Sequence, residues 1–278
     1  MPVCSFSVTY THPYANSVQK FYPIRLADKS WDNTGLLVDS SYDEDCNEIR
    51  VLLTIDLTRA VAEEAVKSKS NIIMAYHPFI FRGLKSITPQ DPQQRSLIQL
   101  IQNKISVYSP HTAVDSAKGG VNDFLARGIA LGAQLASKDV IQPDSQDPDC
   151  GMGRLIRFES PVGLEQLVEN VKKSLGLKYV QVALGAGNDK NHKISTVAIC
   201  AGSGGSVFRG VEADLYFTGE LSHHEALYFK EQGSSVIACS HSNTERAFLA
   251  DLKTQLQLEL PSATISISQC DRDPYETW

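Results

Sequence analysis

The chain has 278 residues, 42% of them apolar and 21% charged, with a formal net charge of −6. That length suffices for one large α/β domain or two smaller lobes, with enough interior for a substantial core. The acidic balance argues against direct nucleic-acid binding, and no apolar run approaches the ~20 residues of a transmembrane helix, so no membrane association is expected either.

Residues 12 to 26 carry a helical run through Val18, Phe21 and Tyr22 that ends at Pro23. Asp32-Asn33-Thr34-Gly35 is turn chemistry feeding a strand at Leu36, with Trp31 expected to pack the turn. Arg50 to Ile55 reads as a strand buried on both faces, followed by a helix opened by Thr58. Asn71 to Tyr76 is a second buried strand running straight into His77-Pro78, where the proline holds His77 in an extended connection. A loop over residues 79–89 carries Arg82 and Lys85 beside apolar Phe79, Ile80 and Phe81. After a helix from Asp91 to Lys104, Ile105 to Tyr108 is a third strand, and Ser109-Pro110-His111 leaves it towards Asp115. This β-α-β-α-β-α order predicts an α/β fold with helices packed on mixed or mostly parallel sheets.

Residues 138–150, rich in Asp, Pro and Ser, read as a linker. Beyond it lie strands at 153–159, 179–184 and 193–200, then the glycine-rich Ala201-Gly-Ser-Gly-Gly-Ser206, expected to be a flexible turn. Ala213 to Phe217 leads into Thr218-Gly-Glu-Leu-Ser-His223-His224-Glu225 and a helix. Ser234 to Cys239 is another buried strand, and it runs into His241-Ser-Asn-Thr-Glu245 at the start of a helix spanning 243–256. If the chain forms two lobes, the expected division is a metal-binding α/β lobe, 1–137 with 213–278, and a second α/β lobe, 138–212.

Of the six cysteines, none forms a Cys-x-x-Cys pair, and Cys200 and Cys239 end apolar runs as buried free thiols would. A reducing compartment follows, and residues 1–10 lack a secretory signal pattern. The expected location is cytoplasmic, with the mitochondrion or nucleus as alternatives.

Five of the seven histidines, His77, His111, His223, His224 and His241, follow apolar strands directly. The carboxyl ends of parallel strands line ligand crevices in α/β sheets, so these groups are expected to gather at one cleft. Imidazole nitrogen with carboxylate oxygen from Asp115 or Glu245 suits a divalent transition metal, with Zn, Mn, Fe and Ni indistinguishable. The competing reading is structural: Ser222-x-x-Glu225 and Ser242-x-x-Glu245 are both capping boxes by sequence.

Trp31-Asp-Asn-Thr-Gly-Leu, Tyr76-His-Pro-Phe-Ile-Phe, His111-Thr-Ala-Val-Asp115, Thr218-Gly-Glu-Leu-Ser-His-His and His241-Ser-Asn-Thr-Glu-Arg together resemble the Nif-three-like family, also labelled GTP cyclohydrolase type 2 homologues, in its eukaryotic branch. The resemblance implies a two-lobed fold, a cleft with a dinuclear metal site and a homo-oligomer. It carries the ligand role onto His77, Asp115, His241 and Glu245, with Asp115 or Glu245 bridging two ions. Tyr76 stands where bacterial members often have a histidine. A phenol with a pKa near ~10 is a poor ligand at neutral pH, so one ion is expected to have fewer protein ligands, with His111 as a substitute. Glu220, His223 and His224 become second groups for proton transfer. Two functions follow: a metal-dependent hydrolase of a small-molecule substrate, or a non-catalytic metal-binding protein that binds a transcriptional co-activator component, as the fungal founder's name implies.

Overall fold

The computed structural model describes residues 13–40 and 48–276. The readings made on residues 1–10, His12, Cys4 and Cys46 therefore lie outside the described residues. Contacts group the chain into two compact units, residues 1–111 with 251–271 and residues 112–250 with 272–278. The points that bound the expected lobes, 138 and 212, both fall inside the second unit.

The first unit opens with helix α1 (Pro13–Phe21) and strand β1 (Gly35–Val38). The apolar runs then become β2 (Arg50–Thr54), β3 (Ile72–Ala75) and β4 (Ser106–Ser109), joined by α2 (Arg59–Lys67) and α3 (Pro92–Gln102). Each helix starts where its sequence supplies a cap. Thr58 Oγ1 accepts from the Val61 amide, and Asp91 Oδ1 accepts from the Gln94 amide with Pro92 in the first turn. One face of each helix is apolar, and that face buries: Val61, Ala62 and Ala65 of α2 and Leu97 and Leu100 of α3 form one core with Leu52, Ile73 and Val107.

The second unit begins with a single buried helical turn, α4 (Thr112–Ser116), and α5 (Val121–Ile129). It continues through β5 (Leu135–Pro143), β6 (Gly151–Gly163), α6 (Leu164–Leu175), β7 (Gln181–Ala183), β8 (Lys193–Ser203), β9 (Leu215–Glu220), α7 (His223–Glu231), β10 (Ser235–Ala238) and α8 (Asn243–Arg246). The chain then returns to the first unit with most of helix α9 (Leu249–Glu259) and with β11 (Thr264–Ile267). The single helix expected over 243–256 is thus two, α8 and α9.

The expected linker is only partly one. Residues 138–143 belong to β5, which pairs antiparallel with β6 from Leu135 opposite Phe158 to Pro143 opposite Gly151. The Asp-Pro-Ser composition marks the turn of this ribbon, where Asp144 Oδ1 accepts from the Gln146 and Asp147 amides.

Both sheets are mixed. In the first unit the order is β1-β4-β3-β2-β11, with β4, β3, β2 and β11 mutually parallel and β1 antiparallel at the edge. In the second the order is β5-β6-β8-β9-β10-β7, with β8, β9 and β10 parallel and the rest antiparallel. The α/β class expected from the sequence holds. Each unit therefore has one block of adjacent parallel strands whose carboxyl ends lie side by side: β4, β3, β2 and β11, and β8, β9 and β10.

Beneath the second sheet sits a fully buried arginine. Arg154 gives Nε and Nη2 to the Asp123 carboxylate at 3.0 and 3.2 Å and its remaining protons to the carbonyls of Gly151, Gly153 and Ala117. All five guanidinium donors are used, which is what makes a buried arginine tolerable. Asp123 also receives Lys138 Nζ at 2.7 Å and the Gly119 amide at 2.7 Å. Burial alone would raise the Asp123 pKa, but the hydrogen bonds from Arg154 and Lys138 outweigh it and hold the carboxyl at about 2.

Candidate functional site

Three of the four parallel strands of the first unit, β2, β3 and β4, run out into polar groups of interest. Asp56 follows β2, His77 follows β3 and His111 follows β4. His77 is held by its backbone, its amide donating to the Ile55 carbonyl at 3.1 Å and its carbonyl accepting from Ser109 Oγ at 3.3 Å. Its Nδ1 lies 2.9 Å from Asp56 Oδ1. His111 repeats the arrangement, with Nδ1 2.7 Å from Asp32 Oδ1. In both, a carboxylate at Nδ1 favours the proton there and leaves Nε2 as the nitrogen with the lone pair.

The two rings stand nearly perpendicular, 5.4 Å apart between centroids. Tyr76 is fully buried and meets His77 edge-on at 5.4 Å and His111 at 6.1 Å. It builds the wall behind the imidazoles. Trp31, expected to pack its turn, is instead 52% exposed, and its ring meets His111 at 5.6 Å.

In the second unit the carboxyl end of β8 is the hub. The Ala201 amide donates to Asn122 Oδ1 at 2.9 Å, and Asn122 Nδ2 donates to the Asp115 carbonyl at 2.9 Å, which fixes α4. The Gly202 amide donates to Thr244 Oγ1 at 2.9 Å, which fixes α8, and the Gly202 carbonyl accepts from Thr218 Oγ1 at 3.0 Å. Asn122, Thr218 and Thr244 are all fully buried. These tethers set the backbones of Asp115 and Glu245 relative to one strand end.

His241 follows β10, one residue after Ser240, whose φ of 70° puts a non-glycine residue in the left-handed region. Its Nδ1 lies 2.9 Å from Glu220 Oε1, and its Nε2 faces Glu245 Oε1 at 3.5 Å. Glu245 and Asp115 are both buried carboxylates. The two capping boxes now separate. Ser222 and Glu225 form theirs at the start of α7, with both hydrogen bonds present. Ser242 makes no cap bond. Its hydroxyl accepts from Arg246 Nη2 at 2.8 Å, and Glu245 points its carboxylate at His241.

The donor set fits a cation. His241 Nε2 and the Glu245 carboxylate face one another at 3.5 Å, and Glu245 is buried, where a carboxylate without a counter-charge is costly. Gly202, at φ 61°, leaves open the space beside them, since a Cβ there would lie 2.9 Å from His241 Nε2 and 3.0 Å from Glu245 Oε1. The thiol of Cys200 reports the same field: burial pushes its pKa far up, and the nearby Asp115 and Glu245 charges push it further. Cys239 is pushed up to about 12 by burial alone, so neither thiol is a nucleophile at neutral pH.

His223 and His224 stand exposed in the first turn of α7, rings 5.3 Å apart. His224 lines a cavity of about 450 Å³ with Arg209, Tyr228 and Gln232. Glu220, expected as a proton-transfer group, is the Nδ1 partner of His241. Sequence reasoning passed over Asp32, Asp56, Asn122, Gly202 and Thr244. Asp32, Gly202 and Thr244 lie in stretches that carry a signal, the Trp-Asp-Asn-Thr-Gly turn, the glycine-rich residues 201–206 and His241-Ser-Asn-Thr-Glu245, while nothing local marks Asp56 or Asn122.

Residues 11–274 match the Duf34/NIF3 (NGG1p interacting factor 3) family. A Saccharomyces cerevisiae protein named NGG1-interacting factor 3 is 50% identical over 268 residues, covering 92% of this chain and 93% of its own. The Protein NIF3 homolog of Schizosaccharomyces pombe is 50% identical over 269 residues, covering 94% and 95%. Among solved structures, a Bacillus cereus protein related to NIF3 superposes with a TM-score of 0.82 at 21% identity, covering 95% of this chain and 98% of that one, a likeness of fold.

Proposed function

The chain belongs to the Duf34/NIF3 family, and from that premise we propose that it is a divalent-metal-dependent hydrolase of a small-molecule substrate. Taken unit by unit, the groups that would ligate metal in this reading are His77, with His111 as a further imidazole, in the first and Asp115, His241 and Glu245 in the second. One observation carries it: three strand-end histidines each have Nδ1 bonded to a carboxylate, His77 to Asp56, His111 to Asp32 and His241 to Glu220. Histidines that only cap a turn have no need of a carboxylate at Nδ1, whereas metal-ligating histidines almost always give that proton to a carboxylate, a backbone carbonyl or water.

A divalent ion, when bound, supplies a lowered pKa for its water and polarises a substrate oxygen. The chain's own groups do the rest. Asp32, Asp56 and Glu220 accept the Nδ1 protons, which fixes the ring orientations and makes each Nε2 a better ligand. Buried Asp115 and Glu245 supply the negative charge that draws a cation in. Tyr76, behind the rings, keeps water from their inner side. Glu220 is half exposed on the outer side of His241, where it can exchange a proton with solvent through the imidazole.

The test is hydrolysis of a panel of phosphoesters, nucleotides and amides by metal-loaded protein, with His241→Ala as the control. The reading expects turnover that disappears in the variant while the fold persists. No turnover across the panel refutes it. The printed name of the yeast relative favours a second reading, a metal-binding protein that acts by engaging a protein partner. Under that reading partner capture survives His241→Ala and no substrate is turned over.

A further inference from the structure

The loop that follows His77 is at odds with ordinary surface chemistry. Residues 81–87 are all exposed, yet they include Phe81, Leu84 and Ile87. Arg82 and Lys85 sit among them and take part in no ion pair with any described residue. Across from this loop lies Trp31, its ring 6.1 Å from Phe81.

Trp31 is not exposed by default. Its Nε1 donates to Asp28 Oδ2 at 2.8 Å, while the other oxygen of Asp28 accepts from the Ser30 amide at 2.9 Å and Ser30 Oγ at 2.6 Å. These bonds hold the Asp28 carboxyl below the usual range, the Ser30 hydroxyl being the largest cause. The loop is tied to the same turn, since Asn33 Nδ2 donates to the Ile80 carbonyl. An indole pinned at its polar end by a committed carboxylate, with half its surface bare, is a pre-organised stacking face.

The aromatic file continues inwards. Phe81, Trp31, His111 and His77 follow one another at centroid separations of 6.1, 5.6 and 5.4 Å, all within the first unit. We propose that Trp31 and Phe81 hold the planar heteroaromatic ring of the substrate, that Arg82 and Lys85 hold its anionic group, and that this ligand class is a ring-bearing phosphate of nucleotide size. Aromatic faces accept any flat ring, and guanidinium and ammonium groups with no ion-pair partner among the described residues complement a phosphate. The direction of the bound ligand, with its reactive end towards His77 and His111, rests on the proposed hydrolase reading. Recognition of ring and anion does not.

Trp31 gives a direct readout, because the only other tryptophan is Trp278. In a Trp278→Phe background, Trp31 fluorescence is titrated with AMP, GMP and UMP, and with ribose 5-phosphate, in metal-stripped and metal-loaded protein. Saturable quenching by at least one nucleotide is expected in both forms. Ribose 5-phosphate, followed by calorimetry, should bind at least roughly tenfold more weakly for want of a stacked ring. Phe81→Ala should weaken nucleotide binding by about tenfold, and Arg82→Ala with Lys85→Ala should remove the preference for AMP over adenosine. No quenching by any nucleotide overturns the proposal, as does unchanged affinity in a Phe81→Ala variant with normal thermal unfolding. Retained nucleotide binding in a protein that takes up no metal would refute the hydrolase reading and leave the ring site standing.

Discussion

Replacing Gly202 by alanine puts a methyl group into the space beside His241 and Glu245. Two costs follow, and the structure separates them. The first is backbone strain: Gly202 has φ 61°, and an L-residue in the left-handed region costs about 1–2 kcal/mol. In a protein of this size that lowers the unfolding midpoint by about 2–8 °C. The second is local: the new Cβ lies 2.9 Å from Nε2 of His241 and 3.0 Å from Oε1 of Glu245, so one donor must give way. Gly176→Ala is the control, because it has φ 67° with nothing within 4 Å, and carries the strain alone. Thermal unfolding and metal titration of both variants are the assays. Both should lose similar stability, while only Gly202→Ala should lose metal affinity, by at least roughly tenfold on the scale of disturbed metal-site neighbours. A Gly202→Ala protein that binds divalent metal as tightly as Gly176→Ala would refute the placing of His241 and Glu245 around an ion.

Glu220→Gln keeps the shape of the Nδ1 partner of His241 but removes its charge, so metal affinity should fall about 10–100-fold with the unfolding midpoint little changed; isothermal titration checks it. Arg154→Met should cost about 3–5 kcal/mol in denaturant unfolding, since it leaves Asp123 buried without its main partner. The Asp123 pKa is lowered to about 2, so the folded state gains from its ionised form above the ordinary carboxylate pKa and loses that gain as pH falls from ~4 towards 2. A difference of this size is worth roughly 2 kcal/mol, and Asp123→Asn should flatten the acid limb of stability against pH by that amount. Ser222→Ala removes a formed capping box and should destabilise by about 1 kcal/mol in the same unfolding assay.

The buried strands were legible because four- and five-residue runs such as Ile72 to Ala75 are apolar on both faces, a pattern that parallel sheets covered by helices demand. The strand-end histidines were legible for the same reason, since a polar residue closing such a run must emerge at the sheet's rim. What holds them was not. Asp32 and His111 are separated by 79 positions, and only the pairing of β1 with β4 brings them together. The two Ser-x-x-Glu boxes look alike in sequence, yet one caps its helix and the other leaves Glu245 facing an imidazole. The difference lies in Arg246, which claims the Ser242 hydroxyl, and no local pattern announces that. The Asp-Pro-Ser stretch misled because turn chemistry is the same in a linker and in a hairpin; the pairing partner in β6 decides between them.

The central claim is that oriented imidazoles and buried carboxylates in this chain hold divalent metal, and metal analysis of natively purified protein tests it most directly. About one to two transition-metal ions per chain are predicted, falling sharply in a His77→Ala, His241→Ala double variant that keeps the parent's circular dichroism. A parent protein with no metal, or a double variant with the parent's metal content, would contradict the claim.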